Sequence, residues 1–438
     1  MGQGADKAPL RLGIAGLGTV GVGTVKIVAA HGARFALSVG RSIEITAVSA
    51  RDTNRDRGVD LSNMAFETDA RALATREDVD VVVEMIGGSE GIALELVENA
   101  LANGKSVVTA NKALIALHGT RLAKIAEENN VALNYEAAVA GGIPIIKTMR
   151  EGVAANAINR VYGILNGTCN YILSQMESTG RAFDDVLADA QAKGYAEADP
   201  SFDVGGIDAA HKLAILTALA YGTELAFDDI EVEGIEAITA DDIQTAIKLG
   251  YRIKLIAQSV PVDGGGLEQR VSPALVPLGT PMAAVDDVFN AVALEGDFVD
   301  RVFLEGRGAG EGPTASAVVA DILDIARGQI MPTFGVPADA LQPFVVAAQG
   351  AHEGAFFVRL ALKDEPGGMA AVTTAFQAEG ISISAMNQSE AGHDAKSGVP
   401  VVIITHECRE AALQSAVEKI AALPVSLATP RTIRIAAF

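Results

Sequence analysis

The chain has 438 residues, of which 49% are apolar and 20% are charged, a composition typical of a packed protein with two or three domains. Aspartate and glutamate outnumber lysine and arginine by 55 to 34, and the formal charge of −21 argues against a nucleic-acid partner or an anionic membrane surface. No apolar signal sequence opens the chain and no apolar run has the length of a membrane span, so we expect a cytoplasmic protein without membrane contact.

Residues 1–140 alternate short β-rich runs with helical stretches. The predicted strands are RLGIAG, IEITAVSA, DVDVVVEMIGG, KSVVTANK and VALNYEAAVA. Nearly continuous apolar strands separated by helices are typical of a parallel sheet covered on both faces. We therefore predict a doubly wound α/β domain in this part of the chain.

The segment RLGIAGLGTVGVG places Gly16, Gly18 and Gly21 in a GxGxxG frame between a strand and a helix. In this context the first glycine permits a tight turn, the second lets a pyrophosphate approach the backbone, and the helix N-terminus donates N–H groups to the phosphates. We predict a Rossmann-type NAD(P) site that includes Thr19 and Val20 of the same loop. The alternative is a glycine-rich turn without a ligand.

The choice of cofactor depends on the end of the second strand, AVSARD, which places Arg51 near the adenosine ribose with Asp52 beside it. An acid at this point accepts a hydrogen bond from the 2′-hydroxyl of NAD, whereas an arginine meets the 2′-phosphate of NADP. We predict NADP, with NAD tolerated. The alternative is that Arg51 is an ordinary solvated side chain.

Two later strand ends carry further candidate residues, Ile86 and Gly87 in EMIGG and Thr109 and Lys112 in TANK. Ligands of open α/β sheets bind beyond the carboxyl ends of the strands. We therefore expect these residues to meet the cofactor or the substrate, the alternative for Lys112 being a plain surface lysine.

Residues 141–330 have longer helices and scattered strands, with enough apolar surface to predict dimerisation. Within DVGGIDAAHKLAIL, Asp208 and Lys212 stand four residues apart on one face of an apolar helix, so they are able to touch. A lysine on the packed face of a helix is unfavourable unless a partner accompanies it. The pair is either part of an active site or a structural ion pair.

The last part of the chain follows a Pro/Gly-bearing linker at residues 331–353. Residues 354–438 read strand, helix, strand, strand, helix, strand, which is the βαββαβ pattern of a ferredoxin-like unit. The pattern predicts a self-contained domain.

Three segments, GYAEADPSFDVGGIDAAHK, LNGTCNYIL and GRGAGEGPTASAVVADILD, together with the motifs above, closely resemble homoserine dehydrogenase. The resemblance covers nearly the whole chain from residue 10, and the C-terminal unit, with KDEPGGMAAVTTAFQAEGISI, looks like an ACT domain. It implies an α+β catalytic and dimerisation domain between the Rossmann and ACT domains. The implied activity is the NAD(P)-dependent interconversion of L-homoserine and L-aspartate 4-semialdehyde in threonine, methionine and isoleucine biosynthesis.

The resemblance also implies roles for individual residues. Lys212 is the acid–base at the reacting oxygen, Asp208 helps to hold the substrate, Glu197 binds its amino group, and Lys112 lies between nicotinamide and substrate. Physical chemistry is compatible with these roles, because alcohol oxidation sends a hydride to nicotinamide and a proton to a base, and an amine serves as that base if burial lowers its pKa. Glu197 and Asp203 supply negative charge for a substrate ammonium.

Other parts of the resemblance concern ligands. Gly194 and Gly310 are assigned to the cofactor. A monovalent cation, usually sodium in the family, is implied in NYEAAVAGGIPII, with the ligands Glu136, Val139, Gly141 and Ile143. Oxygen ligands with one carboxylate suit a weakly bound hard cation, and the alternative is a turn without an ion.

The glycines of DEPGGM leave N–H groups open to a carboxylate, so we expect an amino acid to bind at this turn and at an inter-subunit face. The resemblance implies that this effector is threonine, and we expect a homodimer or homotetramer.

Two other functions are compatible with parts of the sequence. A thiol-dependent semialdehyde dehydrogenase would use Cys169, but no base is evident beside it, and a buried structural cysteine is favoured. An amino-acid sensor on an inactive dehydrogenase scaffold would not need Glu197, Asp208 and Lys212, all of which are present. Cys169 and Cys408 together offer neither a disulfide framework nor a zinc-binding spacing.

Overall fold

The computed structural model describes residues 7–388 and 398–438. The strands of its first sheet are β1 (Leu10–Ala15), β2 (Ile43–Ser49), β3 (Ala65–Glu67), β4 (Val81–Glu84), β5 (Ser106–Thr109) and β6 (Leu133–Asn134). They pair in parallel in the order β3-β2-β1-β4-β5-β6, connected by α1 (Thr19–Val39), α2 (Ile92–Ala102) and α3 (Lys112–Glu128). This is the order of a dinucleotide-binding sheet, so the predicted Rossmann-type fold is confirmed.

The apolar strands are buried on both faces, as the sequence predicts. In β4, Val81 and Val83 belong to one apolar cluster and Val82 belongs to another on the opposite face of the sheet. Successive side chains of a strand point to opposite faces, so a continuous apolar run suits a strand with helices on both sides.

One predicted strand, VALNYEAAVA, is shorter than expected. Only Leu133–Asn134 pair with the sheet, and the chain then forms a 3₁₀ turn at Glu136–Ala138. Glu136 holds the turn through three hydrogen bonds. Its backbone N–H donates to Asp321, and its carboxylate accepts from the N–H groups of Ile146 and Lys147. These contacts draw the chain away from the sheet edge.

The central part of the chain contributes a second, mixed sheet and most of the helices. Its elements are α4 (Ile145–Lys147), β7 (Ile158–Ile164), α5 (Gly167–Thr179), α6 (Phe183–Ala192), α7 (Ser201–Val204), α8 (Ile207–Tyr221), β8 (Glu231–Val232), α9 (Ala240–Lys248), β9 (Tyr251–Pro261), β10 (Leu267–Pro277), β11 (Phe289–Gly296), β12 (Asp300–Arg307) and α10 (Glu311–Arg327). Helix α8 packs against β7, β9 and β10 on one side and against α3 on the other. It therefore lies at the junction of the two sheets.

Helix α10 returns to the first sheet and packs along α1. Gly23 makes this close approach possible, because a Cβ there would lie 2.8 Å from the Glu311 side chain and 3.0 Å from the Cβ of Ala315. Among the described helices α1 alone has the length and apolar character of a membrane span, yet here it is a packed helix of the nucleotide-binding fold.

The C-terminal unit contains β13 (Glu353–Gly354), β14 (Phe356–Leu362), α11 (Gly368–Ala378), β15 (Ile383–Gln388), β16 (Val399–Thr405), β17 (Cys408–Arg409), α12 (Glu410–Ala421) and β18 (Arg431–Ile435). The predicted βαββαβ order is present. The unit differs from the prediction in not being self-contained, because β18 pairs in parallel with β10. The second sheet thus runs without a break in the order β12-β11-β7-β9-β10-β18-β14-β16-β15. A pattern of local hydrophobicity does not reveal this long-range pairing.

Candidate active site

Helix α8 is apolar apart from a few residues, of which Asp208 and Lys212 are charged. Every residue from 208 to 218 is buried. The helix begins after Gly206, whose φ of 86° favours glycine, and this start places Asp208 in the first turn, where the helix dipole stabilises a carboxylate. Isolated charges are unfavourable in a helix enclosed in this way, so both side chains need partners.

The Asp208 carboxylate lies between two ammonium groups. Its Oδ2 accepts a hydrogen bond from Lys212 Nζ at 2.7 Å, and its Oδ1 lies 3.0 Å from Lys112 Nζ. The first contact is the one predicted from the spacing along the helix. The second joins α8 to the first residue of α3, and so connects the nucleotide-binding sheet to the central helix.

The charges of this cluster depend on burial and on each other. Burial would raise the pKa of Asp208, but the ammonium groups of Lys212 and Lys112 overcome that influence and hold the pKa of the carboxyl well below its usual range. Burial lowers the pKa of Lys212, against the opposing charge of Asp208. The result is an ionised carboxylate beside an amine that can gain and lose a proton, as general acid–base catalysis requires.

Lys212 has a second partner, because its Nζ also donates to the backbone carbonyl of Leu165 at 2.6 Å. These two bonds use two of the three hydrogens of an ammonium group. The remaining position, which is an N–H in the charged form and a lone pair in the neutral form, is available to a bound molecule.

A cavity of about 510 Å³ lies where these residues meet. Its lining includes Lys112, Asp203, Asp208 and Lys212 from the predicted set, and also Tyr195 and Arg307. Asp203 is partly buried, and its pKa is raised by burial and by the nearby charge of Asp208. The structure therefore brings together the acids and bases that the sequence places far apart.

The glycine loop has the geometry of a phosphate cradle. Gly16 has a φ of 98°, and an added Cβ would lie 2.5 Å from the carbonyl oxygen of Met85, whereas a Cβ at Gly21 would collide with the carbonyl of Gly16. A Cβ at Gly18 would meet no atom within 4 Å, so the backbone there is open to a ligand. No side chain caps the N-terminus of α1, which leaves its N–H groups for a phosphate. These residues fit a dinucleotide cofactor.

The other predicted cofactor residues differ in how close they lie to the cavity. Val20, Gly194 and Gly310 line the cavity, and Gly310 directly precedes α10, so that a second helix N-terminus faces the cavity. Thr19, Ile86 and Gly87 are exposed at the ends of β1 and β4, next to the cavity-lining elements.

Two further cofactor candidates lie apart from the cavity lining. Thr109 is buried and directs its hydroxyl to the Glu84 carboxylate at 2.6 Å. Arg51 is exposed just beyond β2.

Glu197 is the predicted substrate residue that the structure does not bring into the cavity. Its side chain is exposed, and its backbone carbonyl accepts a hydrogen bond from Gln191 Nε2 at 3.0 Å. It lies in the loop between α6 and α7, two residues beyond the cavity-lining Tyr195. Its role in binding the substrate remains a prediction.

The predicted cation site lies in a buried turn below the cavity. Both oxygens of the Glu136 carboxylate accept hydrogen bonds at the start of α4, and burial together with the charge of Asp321 raises its pKa to about 7. Val139 and Gly141 are buried, and among the described residues no donor reaches their carbonyl oxygens. A buried carboxylate beside carbonyls without donors fits a hard monovalent cation. The carbonyl of Ile143, in contrast, accepts from the N–H of Ile145 at 2.8 Å.

Cys169 and His211 are packing residues. Cys169 is fully buried, its Sγ donates to the Asp203 carbonyl at 3.1 Å, and burial raises the pKa of its thiol. A thiolate nucleophile is therefore disfavoured. The His211 ring stacks on Phe227 at 4.3 Å between centroids, and burial lowers its pKa.

Three polar residues near the cavity support its walls, and two of them, Glu84 and Asn166, were not predicted from the sequence. Glu84, fully buried, accepts from Thr109 Oγ1 and from the N–H of Ile86 at 2.7 Å. Asn111 caps α3 by accepting from the N–H of Leu114 at 3.1 Å, which sets the position of Lys112. Asn166 caps α5. Asparagine directly before a helical stretch is a known capping signal, and TANK and LNGT both contain it.

Comparison with known proteins agrees with this geometry. A family model described as homoserine dehydrogenase matches residues 144–323, its NAD-binding domain matches 16–136, and an ACT-domain model matches 356–425. The homoserine dehydrogenase of Pseudomonas aeruginosa is 44% identical over 421 residues, covering 95% of this chain and 96% of the relative.

Two solved structures extend the comparison. A homoserine dehydrogenase from Thiobacillus denitrificans has a TM-score of 0.92 at 40% identity, with 98% of both chains covered. A hyperthermophilic archaeal homoserine dehydrogenase in complex with NADPH has a TM-score of 0.62 at 29% identity, covering 72% of this chain and 97% of that one.

Proposed function

The chain belongs to the homoserine dehydrogenase family and is an NAD(P)-dependent oxidoreductase, and from this premise we propose how its residues divide the reaction. The reaction interconverts L-homoserine and L-aspartate 4-semialdehyde. When bound, the nicotinamide supplies the chemistry of hydride transfer. The protein must then bind and orient the substrate and move one proton at its reacting oxygen.

Lys212 handles that proton. In the oxidation direction the neutral amine accepts the hydroxyl proton of homoserine, and in the reduction direction the ammonium returns it to the aldehyde oxygen. The observation that carries this assignment is that Asp208 and the Leu165 carbonyl occupy two positions of Nζ at 2.7 and 2.6 Å, leaving one position for the substrate. A base held by two neighbours presents its proton-accepting site in one direction.

Lys112 and Asp208 orient the reacting group. Lys112 is the more exposed lysine of the pair, with 32% of its side chain accessible, and its Nζ lies 5.6 Å from the centre of the Phe202 ring. Its positive charge stabilises negative charge on the reacting oxygen and lowers the pKa of Lys212, which favours the neutral amine. Asp208 aligns both ammonium groups and helps to hold the substrate.

Recognition of the amino acid is assigned to acids beside the cavity. Asp203 lines it directly, and Glu197 lies on the loop that also carries Tyr195. We propose that Glu197 contacts the substrate ammonium, because it is an exposed carboxylate two residues from Tyr195, which lines the cavity.

NADP is proposed as the preferred cofactor. Arg51 follows β2 and is exposed, so its guanidinium is free to meet a 2′-phosphate. Gly16, Gly18 and the N-terminus of α1 would hold the pyrophosphate, and Gly310 would contact the cofactor from α10. The archaeal relative, whose structure was solved in complex with NADPH, is consistent with this choice.

A sodium ion is proposed in the buried turn, held by Glu136 and by the carbonyls of Val139, Gly141 and Ile143. Its charge would stabilise the turn that places Ala137, Ala138 and Gly141 along the cavity wall. The role is structural, so removal of sodium is expected to loosen the site rather than to remove a reacting group.

The assembly and regulation are also proposals. We propose a cytoplasmic homodimer or homotetramer that acts in threonine, methionine and isoleucine biosynthesis, with threonine as an effector at the DEPGGM turn. Support comes from the C-terminal unit, which matches an ACT domain and shares a sheet with the catalytic strands.

One set of rate measurements tests the proposed function. Initial rates of homoserine oxidation, followed at the nicotinamide absorbance band with NADP and with NAD, should show turnover with both cofactors and a higher kcat/KM with NADP. Added threonine should lower the rate. If neither NADP nor NAD supports turnover, the proposal is contradicted. Sedimentation at micromolar concentration tests whether the protein is an oligomer.

A further inference from the structure

Asn166 connects three segments of the active site through one side chain. Its amide Nδ2 donates to Asp203 Oδ1 at 2.8 Å and to Asp208 Oδ2 at 2.8 Å. Its Oδ1 accepts from the backbone N–H of Cys169 at 2.8 Å, which caps helix α5. The residue is 4% exposed, so its side chain is largely shielded from bulk solvent although it lines the cavity.

The two carboxylates that Asn166 contacts would otherwise repel each other. Burial and the charge of Asp208 raise the pKa of Asp203, and the hydrogen bond from Asn166 opposes that rise. The side-chain amide suits this position because it offers two N–H donors and carries no charge. A neutral double donor satisfies both acids without cancelling the negative charge that a substrate ammonium needs.

Asn166 also influences where the Lys212 ammonium group points. The oxygen of Asp208 that accepts from Asn166, Oδ2, is the one that accepts from Lys212 Nζ at 2.7 Å. The preceding residue, Leu165, supplies the carbonyl that accepts the second Nζ hydrogen. The dipeptide after β7 therefore restrains Lys212 from two sides, once directly and once through Asp208.

We propose that Asn166 is a positioning residue for the dehydrogenase reaction, whose amide locks Asp203 and Asp208 in place so that Lys212 presents its free position to the substrate. This inference rests on the proposed role of Lys212. It assigns to Asn166 an effect on turnover that goes beyond its capping of α5.

Two substitutions separate the capping role from the positioning role. Asn166→Ser and Asn166→Asp both retain a short side-chain oxygen that can cap the helix. Serine is too short to reach both acids, and aspartate has no N–H to donate. If Asn166 acts only as a cap, both variants should have nearly normal kcat, and that result would overturn the proposal.

The positioning role predicts a different outcome. Asn166→Ser should lower kcat by about 10- to 100-fold, the loss expected when hydrogen bonds to charged groups are removed. Asn166→Asp should lower kcat further, because it adds a third carboxylate. The acid limb of the kcat pH profile for homoserine oxidation should move to higher pH in both variants. When the acids lose their neutral donor, their negative charge acts more strongly on Lys212 and raises the pKa of that amine. A pH profile identical to that of the wild type would contradict the proposal.

A double-mutant cycle with Lys212→Ala completes the experiment on the full-length protein, with the melting temperature recorded for every variant. If Asn166 acts through Lys212, Asn166→Ser should add little to the loss already caused by Lys212→Ala. Fully multiplicative losses would overturn the inference while leaving Lys212 in its role. A Lys212→Ala variant with normal kcat would instead overturn the proposed function itself.

Discussion

The ammonium nitrogen of Lys212 lies 2.7 Å from the Asp208 carboxylate, and the two side chains are 10% and 7% exposed. A surface pair at this i,i+4 spacing would contribute only about 0.3–0.5 kcal/mol. Here the pair is enclosed, and the same carboxylate also meets Lys112. The two ammonium groups hold the pKa of Asp208 below its usual range, while burial lowers the pKa of Lys212.

Replacing Lys212 should reveal its role in proton transfer. Lys212→Ala is expected to lower kcat by ~10²–10⁴-fold, the usual contribution of a general acid–base group, with the Kd for NADP nearly unchanged. Lys254→Ala is the matched control, because Lys254 is also buried, at 1% exposure, but lies outside the cavity lining. A Lys212→Ala enzyme with a lower melting temperature but a normal kcat would show that Lys212 and Asp208 form only a structural ion pair.

Replacing Glu197 should affect substrate recognition more than turnover. Glu197→Gln removes the charge that is proposed to contact the substrate ammonium, so the KM for homoserine should rise by about 10-fold or more while kcat changes little. Asp199→Asn, an equivalent change at an exposed acid of the same loop, serves as the control. Equal KM values for the two variants would remove Glu197 from the site.

The preference for NADP should depend on Arg51. Arg51→Asp is expected to lower kcat/KM for NADP more than for NAD, because a carboxylate repels the 2′-phosphate and accepts from the 2′-hydroxyl. Arg34→Asp makes the same change of charge at an exposed position on α1 and should leave the ratio alone. An unchanged ratio in Arg51→Asp would place the discriminating contact elsewhere.

Lys254 should make stability depend on pH. Burial lowers its pKa from 10.5 to about 8, although Asp286 opposes the shift. Between these values the unfolded chain binds a proton that the folded chain has lost, so stability should rise with pH across this window. In Lys254→Met that rise should be smaller, which melting temperatures from pH 7 to 10.5 would measure. Parallel curves for the variant and the wild type would rule out a titrating Lys254.

Arg434 should couple the C-terminal unit to strand β10 of the central part of the chain. Its guanidinium pairs with Glu268 on β10 and, at 2.6 Å, with Glu410 of α12, beside a second cavity of about 380 Å³. Arg434→Met removes the guanidinium shared by the two acids and leaves Glu268 with His352 and Glu410 with the more distant Arg270. The melting temperature should therefore fall and any threonine effect should weaken, while kcat without threonine changes little.

Arg409→Met, which breaks an exposed pair with Glu353, is the control for Arg434. Full threonine inhibition in Arg434→Met would show that this ion pair carries no regulatory signal.

The sequence by itself determined the elements whose causes are local. The apolar runs of β1, β2, β4 and β5, the glycine loop before α1 and the βαββαβ order of the C-terminal unit all follow from hydrophobic periodicity and from turn residues. The spacing of Asp208 and Lys212 likewise predicted their contact, because four residues bring side chains to one face of a helix. These features depend on neighbours within a few residues of one another.

Only the tertiary structure decided which distant groups share the cavity. Lys112 meets Asp208 because α3 packs on α8, and Asn166 meets both acids because β7 ends beside the start of that helix. The pairing of β18 with β10 and the exposed position of Glu197 are decided in the same way. Each depends on how elements that are far apart in the chain pack against one another. Neither hydrophobic periodicity nor a short motif specifies the distance between such elements.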